Sequence, residues 1–447
     1  MGMYRSSAKS FDAIRRWLET IPVLDSHEHC TGFVPCTDPL DYILNNFYIG
    51  DFWSAGGEAI TGDADLGLFR PIPHDRPQKE RYEQFQKYYL RSNKTAYART
   101  MQYTLTQCWG VKDIGSYEGF LTFSEAFSTR NASVYDRVMD QMHIKAKIVD
   151  RLDLEEYLDG KQIASSYCHF ALDITLYKLL QSWQQVLRMQ RWLNRPIHSL
   201  DDYVDALDSI FQRALEFGVV CLKDLSAYHR PLSYGNPTKE AAEAVFEMLH
   251  ANPDRVFTAD EIIPLDDWLF HYFLQKAQQH DLPVQMHTGH MSHIRNDVRK
   301  ANAVLMIPIL EQYPKVRFDL FHGNWPYMDE YLFVIKNYPN AYLDLCWAHE
   351  IDPIYCVELL KRAVMTIPHC KIFAFGGDTA VIEWAVGYLA LAKDNMAIAL
   401  AELIDCGWLS LAEAKQLAAD WFYNNINDCF HLDYEPVVVD SERGDWL

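Results

Sequence analysis

Residues 22–29 read Pro-Val-Leu-Asp-Ser-His-Glu-His, a short apolar run that ends in charged and imidazole side chains. Similar apolar runs recur along the chain, and the segments between them have the 3.6-residue period of helices. The eight predicted strands are residues 22–25, 146–150, 168–172, 219–223, 283–287, 317–322, 341–345 and 372–376. The clearest predicted helices are residues 200–217, 239–250, 265–280, 304–313 and 331–338.

Buried-type strands that alternate with helices are typical of a parallel sheet. Eight such units favour a closed (β/α)8 barrel, the TIM barrel, whose active sites lie at the carboxyl ends of the strands. An open doubly wound sheet has the same periodicity, so this pattern alone does not separate the two. Since no Gly-x-Gly-x-x-Gly or Gly-x-x-x-x-Gly-Lys loop opens a helix, nucleotide binding is disfavoured. We therefore predict an α/β fold of the TIM-barrel type.

A long insertion separates the first two predicted strands. Residues 31–132 are rich in aromatic side chains and leave from the end of the barrel where active sites lie. We predict a helical insertion or cap here; aromatics that pack only within the insertion are an equally open interpretation. The predicted barrel comprises residues 1–30 and 133–434, and residues 435–447 are predicted as a C-terminal tail.

The composition limits the classes of function. Of 447 residues, 49% are hydrophobic and 23% are charged, as in ordinary globular proteins. A net charge of −20 repels phosphate backbones, so we expect no nucleic-acid partner. No stretch of 18 apolar residues is present, so no membrane span is predicted. Ten scattered cysteines without a Cys-x-x-Cys pair indicate reduced thiols in the cytoplasm.

Five residues at predicted strand ends carry the chemistry. His27 and His29 are separated by one residue, and in an extended chain such positions point the same way. Both imidazoles can then reach one cation at about 2.0–2.1 Å. His287 and His322 end the fifth and sixth strands, and Asp378 follows the eighth. Because strand ends converge at the mouth of a barrel, the combination predicts a metal centre there.

The motifs around these residues resemble the amidohydrolase superfamily, most closely its amidohydrolase 2 branch. The resemblance covers about residues 23–434 and rests on Asp-Ser-His-Glu-His at 25–29, Pro-Val-Gln-Met-His-Thr-Gly at 283–289, Phe-Asp-Leu-Phe-His-Gly at 318–323 and Phe-Gly-Gly-Asp at 375–378. It implies a (β/α)8 barrel that holds one or two divalent ions.

The resemblance also implies roles for the five residues. By the family pattern, His27, His29 and Asp378 ligate the metal, and His287 joins them or binds a second ion. His322 is then a ligand of the second ion or a free catalytic imidazole. We predict a mononuclear site formed by His27, His29, His287 and Asp378.

Lys223, which ends the fourth strand, has three open interpretations. In binuclear relatives a lysine at this place is carboxylated and bridges the two ions. In mononuclear relatives the position has no such role. A lysine here could also pair with a neighbouring carboxylate such as Asp224.

The implied reaction is hydrolysis of an amide, ester or lactone bond in a small molecule. Zinc is the expected metal, with manganese and iron as alternatives, and it can lower the pKa of bound water to about 7. Asp378 would take the proton of that water and deliver it to the leaving group. His322 would hydrogen-bond the substrate carbonyl. A homo-oligomer is left open.

Two other reactions are found on the same scaffold. Non-oxidative decarboxylation needs an anchor for a carboxylate, and Arg230 and Arg295, which follow the fourth and fifth strands, could provide it. Uronate isomerisation is the second; the corresponding family does not rely on a histidine at the sixth strand, so His322 counts against it. An inactive binding barrel would be marked by the loss of a metal-associated residue, and none is missing.

Three more side chains are candidates for substrate contact. His290 and His293 lie just beyond His287, and Trp347 follows the seventh strand. Solvent-facing loop histidines and a packing role for the tryptophan are the alternative interpretations.

Overall fold

The computed structural model describes residues 2–57, 72–292 and 294–439. Within these ranges, eight parallel strands pair in the order β1-β2-β3-β4-β5-β6-β7-β8. The strands are Val23–Glu28, Ile144–Val149, Cys168–Asp173, Val219–Asp224, Val284–Met286, Phe318–Leu320, Ala341–Asp344 and Ile372–Phe373. The predicted α/β TIM barrel is confirmed. His293 and residues 440–447 of the predicted tail lie outside the described residues.

Twenty α-helices, α1–α20, are present in the described ranges. They are Phe11–Leu18, Pro39–Leu44, Tyr48–Ser54, Gln78–Ser92, Ala96–Trp109, Tyr117–Phe127, Ser133–Gln141, Leu154–Leu158, Thr175–Lys178, Trp183–Leu193, Leu200–Phe217, Lys239–Ala251, Ile263–His280, Ile307–Gln312, Met328–Asn337, Ala348–Ile351, Pro353–Thr366, Trp384–Asp405, Leu411–Ala419 and Asn425–Phe430. None of these described helices is long and apolar enough to cross a membrane.

Helix α11 shows how local sequence sets the bounds of an element. The side chain of its N-cap Ser199 accepts a hydrogen bond from the Asp202 amide, and the Ser199 amide donates to the Asp202 carboxylate. Its C-cap Gly218 has a φ of 93°, a left-handed conformation that glycine adopts without steric cost. Both signals lie in the sequence, and the helix spans the predicted residues 200–217.

Strand β8 is shorter than predicted, and the barrel closes just beyond it. The sequence predicted a strand over residues 372–376, but only Ile372–Phe373 form one. The Ser26 amide in β1 instead donates to the Phe375 carbonyl at 3.0 Å. A Cβ at Gly377 would collide with Glu28 Oε1, so the missing side chain lets this segment lie directly against β1.

The region between β1 and β2 contains helices α2–α7, with residues 58–71 outside the described ranges. Helix α5 packs against α18, a largely buried helix. At their contact, the Gly387 amide of α18 donates to Thr104 Oγ1 at 3.0 Å. A Cβ at Gly387 would collide with the Thr100 carbonyl oxygen. The division into a barrel and a cap at residues 31–132 stays a prediction.

Gly387→Ala is expected to lower the free energy of unfolding by about 1–3 kcal/mol, because the added methyl must displace the α5 backbone. Chemical denaturation of the full chain measures the change. Gly50→Ala is a matched control in helix α3, where nothing lies within 4 Å of the added Cβ. This control is expected to be neutral or stabilising. Equal stability of wild type and Gly387→Ala would contradict the close approach of α5 and α18.

Candidate metal centre

Three side chains, two from the end of β1 and one from the segment after β8, converge at the mouth of the barrel. His29 Nε2 lies 2.9 Å from Asp378 Oδ1, and His27 Nε2 lies 3.7 Å from the same oxygen. Within the described ranges, His27, His29 and Asp378 form one group whose ligand atoms could hold a single ion. His322, Cys346 and Asp378 form a second group, so Asp378 is common to both.

The tautomer of His27 is fixed by Gln285, which lies in β5 two residues before His287. Gln285 Nε2 donates to the Ser26 carbonyl at 2.8 Å and to Asp319 Oδ2 at 3.1 Å. Its Oε1 is therefore left to accept from His27 Nδ1, at 3.0 Å. His27 Nε2 then carries a lone pair, and it is buried without a hydrogen-bond partner among the described residues. A buried orphan of this kind fits a metal ligand whose second nitrogen is oriented by its surroundings.

His29 is oriented in a similar way by the chain after β2. Its Nδ1 donates to the Asp150 carbonyl at 3.2 Å, which directs Nε2 towards Asp378. Burial acts to lower the pKa of His29, but the hydrogen bond and charge of Asp378 raise it above its usual value. A divalent cation between the two side chains would take the place of the shared proton.

Asp378 occupies a strained backbone position. Its φ is 50°, in the left-handed region that aspartate adopts more readily than most residues, and its amide donates to the His27 carbonyl at 2.8 Å. Burial acts to raise the pKa of the carboxyl, but the His29 hydrogen bond and nearby positive groups lower it below its usual value. The side chain is therefore an ionised carboxylate, as a metal ligand or proton acceptor must be.

His287 and His322 face each other beside Asp378. His287 Nε2 donates to the His290 carbonyl at 2.9 Å, and His322 Nδ1 donates to the Cys346 carbonyl at 2.8 Å. The remaining nitrogens lie 3.2 Å apart, and burial lowers the pKa of both rings, that of His322 to about 4. In neutral rings each of these nitrogens carries a lone pair. The two lone pairs repel each other unless a proton or a cation lies between them.

The geometry changes the predicted role of His322. A neutral His322 that donates through Nδ1 has no N–H at Nε2, which lies 4.0 Å from Asp378 Oδ2. It therefore offers a lone pair rather than the donor that the sequence assigned to the substrate carbonyl. His287 belongs to neither of these two groups of described residues.

Lys223 is buried in the barrel and does not pair with Asp224. Its ammonium lies 3.5 Å from the centre of the Phe321 ring. Asp224 instead pairs with Lys178, at 3.0 Å, because successive residues of a strand point to opposite faces. Carboxylation of Lys223 stays a prediction.

The two predicted arginine anchors are not part of the site. Arg230 is 2% exposed and pairs with Asp266 at 2.7 Å and with Asp267 at 2.5 Å. Its charge is neutralised inside the protein and its side chain is buried, so it is not placed to anchor a substrate carboxylate. Arg295 is exposed and is not among the residues that line the cavity described below.

A cavity of about 390 Å³ opens onto His29 and Asp378. His290 and Trp347, both predicted substrate contacts, line it. The other described lining residues are Asn45, Asn46, Phe47, Ile49, Gly50, Tyr97, Leu152, Tyr228, Ser292, Thr379, Ala380 and Val381. No lysine or arginine belongs to this described lining, and residues 45–50 and Tyr97 come from the region after β1.

Sequence reasoning missed two kinds of residue here. Gln285 could have been noticed, because a polar residue two positions before His287 points to the same face of a buried strand. Phe47 and Tyr97 could not be singled out, since the region between β1 and β2 contains many aromatics and their partners depend on tertiary packing.

Gln285→Leu is expected to weaken metal affinity by about 10–100-fold, because His27 loses the acceptor that fixes its tautomer. Competition with a chelator of known affinity measures the change. Gln212→Ala, which removes an exposed glutamine bonded to Glu216, is the control and should bind metal as the wild type does. Unchanged affinity in Gln285→Leu would show that this glutamine does not support the metal ligand.

Comparison with known families gives a match to the part of the chain that contains His287, His322 and Asp378. The amidohydrolase 2 family model, described as amidohydrolase, matches residues 238–383. Among curated proteins, protein fluG of Emericella nidulans is 27% identical over 194 residues, which cover 40% of this chain and 22% of fluG. The chain thus spans about a fifth of the length of this relative.

Solved structures share the fold over nearly the whole chain. A uronate isomerase of Thermotoga maritima has a TM-score of 0.72 at 15% identity. The match covers 95% of this chain and 98% of the isomerase. A Lactobacillus casei protein provisionally described as a metal-dependent hydrolase has a TM-score of 0.62 at 17% identity, over 94% of this chain and 98% of its own. The match to the amidohydrolase 2 family model over residues 238–383 confirms the resemblance to that branch of the amidohydrolase superfamily, and the solved structures confirm the barrel fold.

Proposed function

We propose that the protein is a metal-dependent hydrolase that cleaves an amide, ester or lactone bond of a small molecule. The observation that supports this most strongly is the unpartnered, buried Nε2 of His27, which lies beside an ionised Asp378. The cavity opens onto this same carboxylate, so a substrate in the cavity would lie next to the metal ligands.

His27, His29 and Asp378 would hold one divalent ion, and the next ligand would come from the facing pair His287 and His322. Two imidazoles and a carboxylate suit zinc, and manganese or iron is also compatible with this ligand set. When bound, such an ion supplies Lewis acidity that activates water at neutral pH.

The chain's own groups provide the remaining steps. Asp378, ionised and in the lining of the cavity, accepts the proton of the attacking water and returns it to the leaving group. His29 Nε2 lies 2.9 Å from Asp378 Oδ1, so the two groups are placed to share one ion. Trp347 and His290 pack together with ring centroids 5.0 Å apart and form a wall of the cavity.

The cavity favours hydrolysis over the two alternative reactions. A decarboxylase and a uronate isomerase both act on carboxylates, which are usually anchored by arginine or lysine. The described lining contains no arginine or lysine. Arg230 is paired with Asp266 and Asp267, and Arg295 does not line the cavity. An uncharged carbonyl compound needs no such anchor.

Assay of the zinc-loaded full chain against a panel of small amides, esters and lactones tests the proposal, with products followed by NMR. D-glucuronate and hydroxybenzoates serve as substrates for the alternative reactions in the same assay. We expect turnover of at least one uncharged carbonyl compound and none of the acids. Isomerisation of glucuronate or release of CO2, without any hydrolysis, would replace the proposal with the corresponding alternative.

The expected compartment is also a proposal. All ten cysteines are free thiols, and five of them are buried. This supports a reducing compartment such as the cytoplasm. A small molecule remains the expected partner.

A further inference from the structure

His290 presents an unpartnered imidazole to the cavity. The residue lines the cavity that opens onto Asp378 and is partly exposed. Neither of its ring nitrogens has a hydrogen-bond partner among the described residues, although its backbone carbonyl accepts from His287 Nε2. Burial lowers the pKa of His290 to about 4, so the ring is neutral and carries one N–H and one lone pair. It therefore offers a donor that a ligand in the cavity can reach.

The backbone around His290 is held from two sides. Gly289 has a φ of 69°, and a Cβ there would collide with the backbone of Asn324 and Trp325. The missing side chain thus allows the chain after β5 to turn against the chain after β6. On the other side, His287 Nε2 donates to the His290 carbonyl at 2.9 Å. The turn keeps the two histidines next to each other at the mouth of the barrel.

Two tryptophans pack against the imidazole of His290. Trp325 lies edge-on to it, with ring centroids 5.4 Å apart, and Trp347 lies at 5.0 Å. Trp347 in turn contacts the His322 ring, with centroids 5.1 Å apart. A positive charge on His290 would lower the pKa of both His287 and His322, so the ring lies within electrostatic reach of that facing pair. The imidazole has a defined place beside the metal centre.

The site needs a donor for the substrate carbonyl, because His322 offers a lone pair instead. Other hydroxyl groups of the lining are already engaged. The Tyr228 hydroxyl donates to Ser292 Oγ at 3.3 Å, and the Thr379 hydroxyl donates to a backbone carbonyl at 3.3 Å. The N–H of His290 has no such acceptor to give up.

We propose that His290 is the catalytic donor of this site, whose ring N–H donates to the substrate carbonyl oxygen and stabilises the negative charge that develops there when water attacks. This inference rests on the proposed hydrolase function and gives His290 the role that the sequence assigned to His322. A carbonyl oxygen has two lone pairs, so it can accept from His290 while it also faces a cation held at Asp378. Donors that are held in place before the reaction act most strongly on such developing charge.

The His290→Phe variant keeps a planar ring against the tryptophans and removes the N–H. We expect kcat to fall by about 10²–10³-fold, with little change in KM, because the donor acts on charge that exists only in the transition state. His290→Gln keeps an N–H donor and should recover part of the loss. Steady-state kinetics of the zinc-loaded full chain, on each amide, ester or lactone that the wild type hydrolyses, measure both variants. Metal per chain should not change in either.

His250→Phe is the matched control. His250 is also packed on a tryptophan, Trp183, with ring centroids 4.4 Å apart, but it lies on α12 and is not among the residues that line the cavity. This control should keep the wild-type kcat. Equal kcat in wild type and His290→Phe overturns the inference, and so does a loss of bound metal that accounts for the lower kcat.

A second measurement does not depend on turnover. Acetohydroxamate has an uncharged carbonyl and a group that binds zinc, and it is titrated into the zinc-loaded full chain labelled at the histidine nitrogens. The NMR signal of the His290 ring is assigned by its absence from His290→Gln. We expect this signal to shift as the ring N–H bonds to the probe, and a signal that does not move overturns the inference.

The outcome is distinguishable from that of the proposed function. A shifted His290 signal without hydrolysis of any amide, ester or lactone supports the donor and contradicts the hydrolase. Hydrolysis that His290→Phe retains in full supports the hydrolase and contradicts the donor.

Discussion

The Asp378→Asn variant is expected to keep its fold and to lose turnover by about 10²–10⁴-fold, the usual contribution of a general acid–base group. The asparagine amide cannot accept the proton that an ionised Asp378 accepts. Asparagine tolerates the left-handed φ of 50°, so the backbone should not change. Steady-state kinetics of the metal-loaded variant, with circular dichroism as the fold measurement, give the result.

Asp281→Asn is the matched control for this prediction. Asp281 also has a left-handed φ, of 54°, but it caps α13 and pairs with Arg317, away from the cavity. The same chemical change at the same type of backbone position should therefore leave turnover unaltered. Full activity in Asp378→Asn, with the control also active, would remove Asp378 from the catalytic role.

The His27→Ala variant is expected to lose its bound metal and with it all measurable turnover. His27 supplies a buried lone pair with no other partner among the described residues, and its removal leaves two of the three proposed ligands. Metal per chain, measured by elemental analysis after dialysis, should fall from about one to near zero. A neutral imidazole oriented by a second hydrogen bond is the usual state of such a ligand.

Lys223→Ala distinguishes a mononuclear from a bridged centre in the same measurement. One ion per chain, unchanged in this variant, is the result expected for a site held by His27, His29 and Asp378. Two ions in the wild type, falling to one or none in Lys223→Ala, would show that a carboxylated Lys223 bridges a pair. Full retention of metal by His27→Ala would contradict the proposed ligand set.

The fold could be predicted because strand periodicity and helix caps are local signals. Helix α11 is an example, since Ser199 and Gly218 mark its ends in the sequence. The end of β8 was not predictable in this way. The chain beyond Phe373 follows β1, and Gly377 lies against Glu28, a contact between parts of the chain that are distant in sequence.

The candidate site was predictable to the extent that strand ends mark it. His27, His29 and Asp378 meet because all follow or end strands that are adjacent in the barrel. Arg230 follows β4 as an anchor should, yet Asp266 and Asp267 of α13 neutralise it, and no local pattern announces that pairing. The substrate-facing wall depends on how residues 45–50 and Tyr97 fold over the barrel.

The most direct test of the proposed metal centre is anomalous diffraction at the zinc edge from crystals of the zinc-loaded protein. The structure predicts one principal peak about 2.0–2.2 Å from His27 Nε2, His29 Nε2 and the Asp378 carboxylate. Asp38, Asp41 and His74 form another group that could hold an ion. A principal peak at that group, or no peak at Asp378, would contradict the proposed centre.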